Sequence, residues 1–65
     1  MEIIVNGRTE DTPSQTIAEL VTSKGLAPGA LVVELNQIII KQDQWPSTPL
    51  AAGDRLELLS FVGGG

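Results

Sequence analysis

Cysteine and histidine are both absent from this chain of 65 residues. No disulfide can form, and the commonest ligands of structural and catalytic metals are missing. A chain this short without such staples must rely on one apolar core, because two cores would each be too small to be stable in water. Leu, Ile and Val supply that core with eight, six and five residues. The same two absences leave little from which to build a catalytic site, since the remaining Ser, Asp and Glu residues sit in turns or alternate with apolar neighbours. Glu10, Asp11, Glu34 and Asp43 are the acids from which a carboxylate cluster could be assembled, and acids in such positions are ordinarily just solvated.

Positive charge is also scarce. Four bases against eight acids give a formal charge of −4, which opposes binding to a phosphate backbone and favours partners with basic surfaces. No nucleic-acid partner is expected. Long apolar runs are missing too: stretches such as Ile38-Ile39-Ile40 and Leu31-Val32-Val33 fall far below the roughly 20 residues of a membrane-spanning helix. No membrane association is expected, and nothing near Met1 resembles a basic region followed by the apolar stretch of a secretion signal. A cysteine-free chain fits a reducing cytosol, so the expected location is cytoplasmic.

What is present is a series of short elements with clear punctuation. Met1 to Val5 alternates loosely and runs into Asn6-Gly7, a pair that tolerates the positive φ of a two-residue hairpin turn, so Arg8 to Asp11 is expected to return antiparallel. Thr12-Pro13-Ser14 then interrupts the pairing. Thr16 and Glu19 have the spacing of a capping box, and Ile17, Leu20 and Val21 form one apolar stripe on the helix that follows. Gly25 ends that helix in a left-handed conformation, with Lys24 favourably placed at the negative end of the dipole and Leu26 folding back.

Leu31 to Leu35 reads as a third strand, Asn36-Gln37 as a turn, and Ile38 to Ile40 as a short fourth strand. Lys41 to Thr48 reads as an irregular polar excursion around Trp45 and Pro46, and Gly53-Asp54 as another turn. Arg55 to Val62 is the longest strand, with Leu56, Leu58, Ser60 and Val62 on one face and Arg55, Glu57, Leu59 and Phe61 on the other. The helix must cross one face of a mixed sheet to bury its stripe. This order resembles the β-grasp, or ubiquitin-like, arrangement. The expected fold is α+β, a mixed sheet of four to five strands with one main helix on one face, in a single domain over 1–65. The first and last strands should be parallel neighbours at its centre.

Beyond the last strand, Gly63-Gly64-Gly65 forms a glycine tail that is expected to be flexible. Glycine lacks Cβ and has free φ, so such a strip threads a narrow channel into another protein, and three extended residues reach about 10 Å. A carboxylate is a poor electrophile until it is activated, and adenylation by ATP supplies the leaving group. A sulfur nucleophile such as a persulfide then converts the acyl-adenylate to a thiocarboxylate.

Along its whole length the chain resembles the bacterial sulfur carrier proteins of thiamin biosynthesis. The resemblance runs through Val5-Asn6-Gly7, Thr16 to Val21, Gly25-Leu26, Val33 to Asn36, Trp45, Thr48, Leu50, Gly53-Asp54, Leu56-Glu57 and Val62 to Gly65. The departure is at Ile40-Lys41, where relatives often carry Pro-Arg. The resemblance implies Gly65 as the acceptor of adenylate and sulfur, with Gly63 and Gly64 as its tail. It also implies an adenylyltransferase related to ubiquitin-activating enzymes, thiazole synthase as the recipient, and a sulfur donor such as a cysteine desulfurase. The chain would then be a co-substrate and not an enzyme, binding no cofactor while its partner uses ATP. Leu59 and Phe61, on the face away from the helix, are candidates for docking; the alternative is a secondary core under the Trp45 segment. Other readings are the small subunit of molybdopterin synthase, a protein-conjugating modifier, and a β-grasp binding module without terminal chemistry.

Overall fold

The computed structural model describes residues 1–61. Five strands form one sheet: β1 (Glu2–Val5), β2 (Arg8–Asp11), β3 (Leu31–Leu35), β4 (Ile38–Ile40) and β5 (Arg55–Ser60), in the order β2-β1-β5-β3-β4. β1 and β5 are parallel, with Val5 beside Leu56, and every other pairing is antiparallel. The last strand therefore lies at the middle of the sheet, between the first and the third. It ends at Ser60, two residues short of the strand expected from alternation. Phe61 still donates its N–H to Ala30 at 2.9 Å, while Val62 lies outside the described residues.

Both hairpins turn where the sequence places them. Asn6 and Gly7 have φ of 51° and 81°, and Asn36 and Gln37 have 51° and 73°, the left-handed values that match the twist of two-residue connections. Asn6 does more than turn. Its carboxamide accepts from the Leu58 N–H at 2.8 Å and donates to the Leu58 carbonyl at 3.3 Å, continuing the β1–β5 pairing past the end of β1 with a side chain in place of backbone.

The single α-helix, α1 (Ile17–Ser23), is capped at its start by Thr16, whose hydroxyl accepts from the Glu19 N–H at 3.2 Å. Glu19 reaches back to the Gln15 N–H at 2.8 Å, one residue earlier than in a simple capping box. At the other end Gly25 has φ of 67°, and its N–H and that of Leu26 bond to the carbonyls of Thr22 and Val21. This is a Schellman closure, and it satisfies two carbonyls that the helix leaves free. Lys24 does not spend its charge on the helix end as expected; its ammonium lies 2.9 Å from Glu10 on β2.

α1 crosses one face of the sheet. Ile17, Leu20 and Val21 pack there with Ile3, Val5, Leu31, Val33, Leu56 and Leu58, joined by Trp45 and Leu50. The segment around Trp45 is more regular than expected: Gln42–Ser47 is a 3-10 helix beside α1. Its tryptophan is driven inward by the area it removes from water, and its indole N–H is satisfied by the Ile40 carbonyl at 2.9 Å. A second, shorter 3-10 turn, Pro28–Ala30, leads into β3. Among the described residues no helix is long and apolar enough to cross a membrane.

Candidate functional site

β5 is the strand that delivers the chain to its glycines, and it is held from both sides. Leu31 to Leu35 oppose Ser60 to Leu56 on one flank, while Ile4, Val5 and the Asn6 carboxamide hold the other. Burying Leu56 and Leu58 against α1 fixes which way the alternate residues point. Leu59 and Phe61 accordingly face away from the helix and are 52% and 59% exposed. Trp45 lies on the helix side of the sheet, so the two do not form a secondary core beneath it. Gly63, Gly64 and Gly65, assigned from sequence to the chemistry, lie outside the described residues.

The open face extends beyond those two side chains. Val32 opposes Leu59 across β3 and β5, and Ile39, 63% exposed, opposes Glu34 across β4 and β3. Sequence alternation alone does not place Ile39, because Ile38, Ile39 and Ile40 are identical; only the β3–β4 register separates it from its neighbours. The same register sets Glu34 directly opposite Glu57. That juxtaposition joins residues 23 positions apart, and no local motif signals it.

The acids considered from sequence as a cluster are not brought together. Glu10 is paired with Lys24, Asp11 lies 3.1 Å from the Met1 ammonium, Glu34 is on the open face, and Asp43 is on the 3-10 helix. Among the described residues no three acids gather into a set that could hold a metal ion. On the helix side, an open groove beyond the end of α1 has Val5, Leu31 and Leu58 as its floor and Arg8 and Lys24 at its rim.

Comparison with known proteins agrees with this architecture. Two curated thiazole synthases match over 66 residues, one from Paramagnetospirillum magneticum at 29% identity and one from Magnetococcus marinus at 30%. Each match takes in all of this chain but 20% of the relative, so the chain spans about a fifth of the length of the curated relatives it matches. Among solved structures, the crystal structure of the thiamine biosynthesis protein ThiS from Geobacter metallireducens superposes with a TM-score of 0.85 at 29% identity, covering both chains fully. A solution structure of a thiamine biosynthesis protein from the same organism gives 0.83 at 29% identity, covering all of this chain and 88% of the other. The ThiS family model matches residues 3–65, from the first strand through the glycines, and the chain belongs to the ThiS family.

Proposed function

We propose that the chain is the sulfur carrier of thiamin thiazole synthesis, a protein co-substrate whose reacting group is the Gly65 carboxylate. The observation that carries this reading is the family match itself, which runs without a break through Gly63, Gly64 and Gly65. An adenylyltransferase would let that carboxylate attack the α-phosphorus of ATP, expelling pyrophosphate. A persulfide from a donor such as a cysteine desulfurase then displaces AMP from the acyl carbon, and reduction of the sulfur–sulfur bond by a thiol leaves the thiocarboxylate. Thiazole synthase takes the sulfur. Support for that recipient comes from relatives bearing this name whose chains contain a segment similar to this one. Leu59 and Phe61, exposed beside the exit of β5, form the docking contact.

The test incubates the protein with the activating enzyme of its own organism, ATP and a persulfide donor, and weighs the intact chain. Replacement of one oxygen by sulfur at Gly65 is expected. Removal of Gly65 should abolish it while the fold persists, and Gly64→Val should do the same, because a β-branched side chain restricts φ and ψ and widens the strip. Phe61→Ser should slow adenylation with little change in melting temperature, as an exposed side chain contributes little to the core. A full-length chain that gains no sulfur, or a shortened one that gains it equally well, refutes the carrier reading.

A further inference from the structure

Acidic residues are shared unevenly between the two sides of the sheet. The register opposes Glu2 to Asp11 across β1 and β2, and Glu34 to Glu57 across β3 and β5. Alternation against the buried Ile3, Val33, Leu56 and Leu58 turns all four away from α1. Arg55, opposite Ile4, is the base that shares their side. Half of the chain's acids and a quarter of its bases thus occupy the open face.

Like charges directly opposite on neighbouring strands oppose folding. Asp11 is offset by the Met1 ammonium, but among the described residues no ion pair engages Glu34 or Glu57. This acid pair adjoins apolar surface. Toward the tail the next opposed pair is Val32 with Leu59, then comes Phe61, and Ile39 flanks Glu34 from β4. Ile39, Leu59 and Phe61 are each more than half exposed.

We infer that this face is the seat of a protein partner that sets arginine or lysine side chains against Glu34 and Glu57 and apolar side chains against Ile39, Leu59 and Phe61. Charge complementarity selects that occupant. A second copy would bring the same acids against each other, and an anionic membrane or nucleic acid would be repelled outright. A guanidinium placed between two opposed carboxylates replaces their mutual repulsion with two charge-assisted hydrogen bonds, and docking removes the apolar side chains from water.

This inference rests on the proposed function only in taking the adenylating enzyme as the probe. Its test omits ATP and sulfur donor: calorimetric binding of the full chain to that enzyme, independent of whether Gly65 reacts. The double variant Glu34→Gln, Glu57→Gln is expected to raise the dissociation constant about tenfold, and to flatten the loss of affinity seen for the unaltered chain between about 50 and 500 mM salt. Its unfolding midpoint should equal or exceed that of the unaltered chain. Asp43→Asn removes one charge from the exposed 3-10 helix beside α1, and should bind unchanged. Unchanged binding by the double variant, equal weakening by Asp43→Asn, absence of binding, or self-association of the unaltered chain in sedimentation would each overturn the assignment. Salt-sensitive binding without sulfur gain at Gly65 would leave this surface standing and remove the carrier chemistry.

Discussion

Gln37 has a backbone conformation that its side chain does not favour. Its φ of 73° belongs to a region that costs most L-residues about 1 kcal/mol or more, and that asparagine and glycine occupy more readily. The other hairpin uses Asn6-Gly7 for the same geometry, so the β3–β4 turn holds strain that the β1–β2 turn avoids. Gln37 is exposed, and replacing it removes no buried contact. Gln37→Gly is therefore expected to stabilise the fold by roughly 0.5–1 kcal/mol, the left-handed strain relieved less the added freedom of the unfolded chain. Guanidinium denaturation measures it; a midpoint that stays still or falls would show that the turn is not strained. Asn6 is the opposite case at the same scale. Sequence shows it only as a turn former, whereas its carboxamide also serves Leu58, 52 residues away, a role that tertiary placement alone reveals.

Among the elements, α1 has seven residues, too short to be stable in isolation. Its capping and its Schellman closure define where it begins and ends, but burial of one stripe is what keeps it formed. Leu20 is 1% exposed in the middle of that stripe, between Ile17 and Val21. Leu20→Ala is expected to cost about 2–5 kcal/mol, by lost transfer energy and the cavity left behind. An unaltered denaturation midpoint would contradict the packing described. The helix, the hairpins and the inward faces of the strands were legible in sequence because their signals are local: a cap and its glutamate, a left-handed glycine, an alternation of period two. The 3-10 helix at Gln42–Ser47 was not. Its sequence has no periodic apolar stripe, and what shapes it is Trp45 finding both the core and the Ile40 carbonyl.

At the scale of the molecule, the candidate site was legible in part. Gly63 to Gly65 and the outward-facing Leu59 and Phe61 follow from β5's own alternation. Ile39 and the opposition of Glu34 to Glu57 depend on how strands far apart in sequence are registered. That dependence has a further consequence, one concerning the order in which the chain is made. β1 and β3 do not touch each other; they are joined through β5, the last of the five strands to be synthesised. Until it emerges, the nascent chain has two edges with a gap between them and a core lacking Leu56 and Leu58. A chain stopped at Asp54 is therefore expected to remain unfolded, with collapsed amide dispersion in its NMR spectrum and rapid digestion by protease; well-dispersed resonances from that fragment would refute this. Because closing the sheet requires the strand that leads to the glycines, chains broken off before it stay open to proteolysis, and a folded body without the segment that carries its tail does not accumulate.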